Sequence, residues 1–227
     1  KIMTALLTIE NLPDLNETIT VPEDIFEELT AQDASVAGFN PYEQPTVRDL
    51  LYGVLLPSGA DACETLARAA GGSEEGFVAM MNQKAEELGL TNTHFENCTG
   101  LHNDNHYSTC RDIAVLMSEC LKSDTFREIV TREVYTTEAT ASHPEGITLY
   151  DTMLHRFTSY EMSTTLENGA VIEGGKTGFT DEAGQCLVSF AEYGGEEYIL
   201  VTAEAMTDSG SAVDSIADAS TVYGRLQ

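Results

Sequence analysis

Basic residues are scarce in this chain: 11 Lys and Arg stand against 38 Asp and Glu in 227 residues, a formal net charge of −27. Such a chain repels a phosphate backbone, which speaks against nucleic acid as a partner. The acidic residues are spread out, with only short runs such as Glu23-Asp24 and Glu196-Glu197, and read as a solvated surface that says little about substrate. Long apolar runs are also missing, so no segment reads as a membrane-spanning helix. No basic n-region with an apolar core opens the sequence, which begins at Lys1, so it reads as a fragment or processed form whose signal peptide lies outside it. Nor is there a C-x-x-C pair, a G-x-S-x-G, a Walker motif or a dinucleotide fingerprint. These absences leave no suggestion of a zinc knuckle, a thioredoxin-type site or a cofactor.

Five cysteines are present. Cys63, Cys120 and Cys186 sit among apolar neighbours and read as small core residues. Cys98 and Cys110 lie in a loop-like stretch and could pair, but no bridge is assigned, since sequence alone does not fix connectivity. His102 and His106, with Asp104 between them, have a spacing that invites a metal, but the segment is Asn-rich and loop-like, so no metal site is assigned. His94, His143 and His155 are isolated.

A 42% hydrophobic content supports a sizeable core. Residues 1–9 read as a helix without a start signal. Thr46-x-x-Asp49 resembles a capping box ahead of Leu50-Leu-Tyr-Gly-Val-Leu-Leu56, a helix apolar all round and therefore central. Further helices are expected from Asp61 to Ala70, Phe77 to Leu88, Ser108 or Thr109 to Leu121, and Phe126 to Val130. Beyond Arg132 the pattern becomes strand-like at 134–137, 147–150, 169–172, 185–191 and 198–203, with Gly194-Gly195 marking a hairpin. A last helix is expected from about Ser211 to Tyr223, with Val213, Ile216, Ala217 and Val222 on one side. Helices first and antiparallel strands second make an α+β pattern, with no linker or repeat to divide 1–227 into more than one domain.

Lys176-Thr177-Gly178 carries the chemistry. Alone it is a weak tripeptide, but it follows Gly174-Gly175 and comes after Lys1 and Pro57-Ser58-Gly59 in an order that serine acyl transfer uses. With Leu88-Gly-Leu-Thr-Asn-Thr-His-Phe95, Thr99-Gly-Leu-His102 and His106-Tyr-Ser-Thr109, these stretches resemble the catalytic domain of the D-alanyl-D-alanine carboxypeptidases, low-molecular-weight penicillin-binding proteins. The resemblance implies a β-lactamase/transpeptidase-like fold: an antiparallel sheet with flanking helices and a helical subdomain. It implies a nucleophilic serine three residues before Lys1, so the chain on its own is expected to be inactive, and it lacks the all-β domain and membrane anchor that often follow. Lys1 would be the base and Ser58 a proton relay. Lys176 and Thr177 would hold the substrate carboxylate, and Gly178 would let a peptide lie along the strand, with Phe179 and Thr180 completing that edge. The Phe179 N–H would supply half of an oxyanion hole. No cofactor is implied. The expected ligands are peptidoglycan stem peptides ending in D-Ala-D-Ala and β-lactam antibiotics, met outside the cytoplasm of a bacterium.

Two alternatives stay open. A class A-like β-lactamase would need a deacylating glutamate, for which Glu145 and Glu167 lie in the right half of the chain. A non-catalytic cell-wall peptide-binding protein is suggested by Ala60, which stands where the family's Ser-x-Asn element has an amide. For the residues themselves the plain readings are a surface lysine at position 1, an N-cap serine at 58 and a glycine-eased strand edge at 176–178.

Overall fold

A computed structural model describes residues 1–205 and 213–227. Helices dominate the first half: α1 (Ile2–Asn11), α2 (Ile25–Ala31), α3 (Val47–Leu55), α4 (Ala60–Gly71), α5 (Glu74–Glu87), α6 (Cys110–Cys120) and α7 (Asp124–Val130). Then come a short strand pair, β1 (Val134–Thr136) and β2 (Thr148–Tyr150), the helix α8 (Leu154–Ser159), three ten-residue strands β3 (Val171–Thr180), β4 (Gly184–Tyr193) and β5 (Glu196–Ala205), and α9 (Asp214–Tyr223). Among the described residues no helix is long and apolar enough to cross a membrane.

Side-chain caps set several helix starts. Thr46 Oγ1 accepts from the Asp49 N–H while the Asp49 carboxylate accepts from the Thr46 N–H, the expected capping box. Ser73, Thr109 and Ser123 cap α5, α6 and α7 one-sidedly, each side-chain oxygen accepting from the N–H three residues on. Of the two candidates for the start of α6, Thr109 is the cap. The all-apolar run is indeed central: Leu50, Leu51, Val54 and Leu55 are buried in a core built from α1 to α7.

The main sheet has the order β3-β4-β5, antiparallel throughout. Its middle strand explains the run Cys186-Leu-Val-Ser-Phe-Ala191, which is apolar on both faces. Val188 and Phe190 enter the helical core, whereas Leu187 and Ala191 pack with Met153 and Phe157 near α8 and with Ile216, Ala219 and Tyr223 of α9. One strand thus belongs to two cores, and the sheet is anchored from both sides. Gly194 and Gly195 make the β4–β5 turn with φ of 64° and 85°, a region that favours glycine.

Several expectations need correction. The strand expected at 169–172 runs on through the Lys-Thr-Gly tripeptide to Thr180. Helices α2 and α8 lie where no element was expected; both are short, and neither is capped by the side chain of its own N-cap residue. Ser211, the expected start of the last helix, falls outside the described residues, and the inward face of that helix is Ser215, Ile216, Ala219 and Tyr223. Of the expected side only Ile216 is buried; Val222 is 42% exposed. The Tyr223 hydroxyl, donating to Ser189 O at 2.9 Å inside the sheet, fixes this rotation. All five cysteines are free: Cys98 is buried and Cys110 is exposed at the start of α6. Cys186 is only half-buried, because it pairs across the ladder with Gly178, which has no side chain to cover it.

Glycines 174 and 175 are required by packing. A Cβ at Gly175 would lie 2.4 Å from Val188 O and 2.8 Å from Met153 Sδ, and one at Gly174 would lie 2.4 Å from Val130 O. Gly175→Ala is therefore expected to cost about 2–3 kcal/mol by overpacking, a fall in Tm of about 5–10 °C for a chain of this size. A thermal melt checks this, and an unchanged Tm would contradict the close approach.

Candidate active site

The seven residues singled out by sequence line one cleft of about 790 Å³. Lys1 stands at the N-terminal end of α1 and Ser58 on the turn between α3 and α4. Residues 176–180 form the half of β3 beyond the glycine pair. The topology therefore gathers segments that are far apart in sequence onto facing walls.

Lys1 Nζ donates to Thr99 O at 2.5 Å, and deeper on the same helix Thr4 Oγ1 donates to Cys98 O at 2.6 Å. The 98–101 loop is held in turn by Asn97, whose Oδ1 accepts from the Gly100 N–H. A backbone carbonyl thus orients the Lys1 amine. Ala60 is buried as the first residue of α4, so no amide reaches Lys1 from that position.

Ser58 has φ 67°, a left-handed conformation that is strained for a residue with a Cβ. The surroundings impose it. Ser35 Oγ donates to Ser58 O, the Ala60 N–H donates to Ser35 O and the Gly59 N–H donates to Gly53 O. Buried Asp61 clamps the adjoining loop by accepting from the Ala37, Gly38 and Phe39 N–H groups at 2.7, 3.0 and 3.1 Å. The N-cap of α4 is Gly59, without a side-chain cap, so the Ser58 hydroxyl is not spent on capping.

Lys176 is buried, with its amine donating to Thr177 O at 3.0 Å. Burial, then repulsion from Lys1, brings its pKa down to about 7, and Asp151 opposes the shift. Asp151 is buried too, and burial pushes its carboxyl up to about 6 against the Leu154 and Met153 N–H groups and the charge of Lys176. For both groups desolvation outweighs mutual attraction, so the Lys176 cation is under-compensated. Gly178 differs from its neighbours 174 and 175: among the described residues a Cβ there would meet only Cys186 Cβ, at an ordinary 3.8 Å. Packing does not demand this glycine, and the open space lies on the cleft. Phe179 is 60% exposed at the rim, and Thr180 Oγ1 accepts from the Ala183 N–H, closing the β3–β4 turn. On its other side this half of β3 has no partner strand among the described residues.

Glu145 and Glu167 are exposed and do not line the cleft. His102 contacts Asp104 and Glu182 at 3.3 and 3.7 Å, whereas His106 faces elsewhere, its Nδ1 accepting from the Glu96 N–H. The histidines therefore do not converge. The one grouping with metal-ligand spacing among the described residues is Glu64, Glu74 and Cys98, with donor atoms within 4.8 Å of one another. It lies behind α1, where burial and Glu74 push Glu64 up to about 7 and the Arg68 guanidinium stands 3.6 Å away.

The family model for D-alanyl-D-alanine carboxypeptidases of the peptidase S11 group matches residues 1–207. The chain belongs to that family. It is 34% identical over 208 residues to D-alanyl-D-alanine carboxypeptidase DacF of Bacillus subtilis (strain 168), covering 91% of this chain and 50% of that protein. It is 36% identical over 207 residues to a D-alanyl-D-alanine carboxypeptidase of Streptomyces sp. (strain K15), covering 88% of this chain and 68% of that one. The crystal structure of the Streptomyces K15 DD-transpeptidase superposes with a TM-score of 0.81 at 32% identity, over 98% of this chain and 84% of the other. This likeness agrees with the expected mixed fold. The chain spans about half the length of the Bacillus relative.

Residue-by-residue reading left out Thr99, Ser35, Asp61, Asp151 and Thr152. Thr99 and Asp61 stood inside family-like stretches and offered a signal; Ser35, Asp151 and Thr152 are single polar residues with none.

The lowered pKa of Lys176 has a definite sign in pH. In the unfolded chain this lysine keeps its ordinary value, 10.5, so between about pH 7 and 10.5 the unfolded state binds more protons and the Lys176 contribution to stability rises with pH. At pH 7 the buried cation is a cost, and Lys176→Met is expected to raise Tm there. Affinity for a carboxylate-terminated ligand is expected to fall in the wild type as pH rises above about 7, and to be weak and flat in pH in the variant. Melting curves and titrations across pH 6–9 (roughly the window set by the shift) check both; a variant less stable than wild type at pH 7 would refute the under-compensated cation.

Proposed function

We propose that the protein is a serine-type D-Ala-D-Ala carboxypeptidase acting on peptidoglycan stem peptides outside the cytoplasm, and that β-lactams acylate the same serine. The observation that carries this reading is the convergence of Lys1, Ser58 and Lys176–Gly178 on one cleft with an under-compensated buried cation. A substrate carboxylate supplies the missing negative charge at Lys176 and Thr177. The peptide lies along the open edge of β3, where Gly178 leaves room.

Chemistry then needs a nucleophile. The serine implied three residues before Lys1 would attack the carbonyl of the penultimate D-Ala, passing its proton to the Lys1 amine as general base. The C–N bond breaks, and the proton returns through Ser58 to the leaving D-Ala amine. Water, activated by the same base, hydrolyses the acyl-serine and restores the enzyme. The Phe179 N–H and the N–H of the nucleophile would hold the oxyanion. The Streptomyces K15 protein is described both as a carboxypeptidase and as a DD-transpeptidase, descriptions that differ in whether water or an amine accepts the acyl group. Ala60 removes one amide from the cleft without removing any of these groups.

The test is covalent labelling of the full-length protein with a fluorescent penicillin, read on a denaturing gel. A band is expected, together with release of D-Ala from a stem-peptide analogue and only slow penicillin turnover. Residues 1–227 alone are expected to give no band. Labelling of that chain would overturn the placement of the nucleophile, rapid penicillin hydrolysis would favour a β-lactamase, and peptide binding without labelling would leave a non-catalytic binding protein. Gly178→Ala is expected to keep its Tm and lose at least tenfold in labelling rate (about 1.4 kcal/mol).

A further inference from the structure

Thr152 lies outside the stretches that carry Lys1, Ser58 and Lys176, yet it bonds to one of them and to the residue leading into another. Its backbone N–H donates to Leu56 O at 3.1 Å, just ahead of Pro57-Ser58, and its hydroxyl lies 2.6 Å from Thr177 Oγ1. Its side chain lines the cleft. The segment around it is rigidly held. The Asp151 N–H donates to Glu133 O at 2.8 Å, and Asp151 Oδ1 accepts from the Met153 and Leu154 N–H groups at 2.8 and 2.7 Å, where α8 begins. Asp151 itself is buried, so Thr152 is presented on a fixed turn.

A hydroxyl has one hydrogen to give and two lone pairs to accept with. When two hydroxyls meet, one donates and the other keeps its hydrogen for a third group. A carboxylate only accepts, so a Thr177 that binds one must donate to it, and its oxygen is then free to accept from Thr152. Lys176 does not compete, because its amine is directed to the Thr177 carbonyl rather than the hydroxyl. Donation along such a chain also polarises the last hydroxyl and strengthens its bond to an anion.

We propose that Thr152 is a positioning residue for carboxylate recognition: it donates to Thr177 Oγ1 and so commits the Thr177 hydrogen to the C-terminal carboxylate of the substrate. This rests on the reading that the ligand is a peptide ending in a free carboxylate. Without Thr152, Thr177 has a rotor with no fixed partner, and the preference for an acid over a neutral terminus weakens.

The experiment uses the full-length protein as wild type, Thr152→Val and Thr152→Ser. Calorimetric binding of a stem-peptide analogue ending in D-Ala-D-Ala, and of its C-terminal amide, is measured alongside D-Ala release. Wild type is expected to favour the acid. Valine, of the same shape, is expected to lose about tenfold of that preference, in the range of one charge-assisted hydrogen bond, with KM rising more than kcat falls and Tm nearly unchanged; serine is expected to restore it. A valine variant that keeps the wild-type preference, or that weakens acid and amide equally, overturns the proposal while the peptidase reading stands. Binding with acid preference but no D-Ala release overturns the peptidase reading, and the Thr152 comparison is then decided by binding alone. No acid preference in wild type overturns both.

Discussion

Two lysine amines sharing one cleft, with no ion pair to either among the described residues, are the constraint on which the rest of this structure depends. Lys1 is satisfied by the Thr99 carbonyl and Lys176 by the Thr177 carbonyl, neutral dipoles that orient an amine without neutralising it. Asp151 is the carboxylate that bears on Lys176, and it too is pushed toward its neutral form by burial. A site built this way is expensive to fold, since buried charge without a partner is strongly disfavoured. The same deficit lowers the pKa of Lys176 to about 7, so that its amine titrates near neutral pH.

Such a site requires a rigid surround, or the amines would turn to water. α1 is buried along most of its length, so Lys1 sits at the mouth of a fixed helix. β4 is gripped by two cores, which steadies the edge strand that carries Lys176. The Ser58 turn is held in a left-handed conformation by Ser35 and Asp61, a local cost on the order of 1–3 kcal/mol that neighbouring hydrogen bonds sustain. Stability given up at the cleft is recovered in the helical core, where Leu50, Leu51, Val54 and Leu55 are fully enclosed.

The glycines show how packing and function divide along one strand. Gly174 and Gly175 answer to the backbone of α7 and β4, whereas a Cβ at Gly178 would meet, among the described residues, just Cys186 Cβ at an ordinary 3.8 Å. A sequence reader sees three similar residues in Gly-Gly-Lys-Thr-Gly. Only the surrounding atoms separate those that let the strand pack from the one that leaves open space in the cleft.

What the sequence by itself determined is local: the capping box at Thr46 and Asp49, the all-apolar helix, the alternation that announces strands, and the tripeptide motifs in family order. Each depends on residues a few positions apart, which is the range over which periodicity and capping act. The tertiary structure decided the rest. Lys1 meets Thr99 across 98 residues and Thr152 meets Thr177 across 25, contacts for which neither spacing nor composition carries a signal. It also turned α9 so that Tyr223 reaches Ser189, left Cys186 open beside Gly178, and set Lys176 where burial lowers its proton affinity. Burial and long-range hydrogen bonds are properties of the packed chain, and a lysine acquires its chemistry from them rather than from its place in a motif.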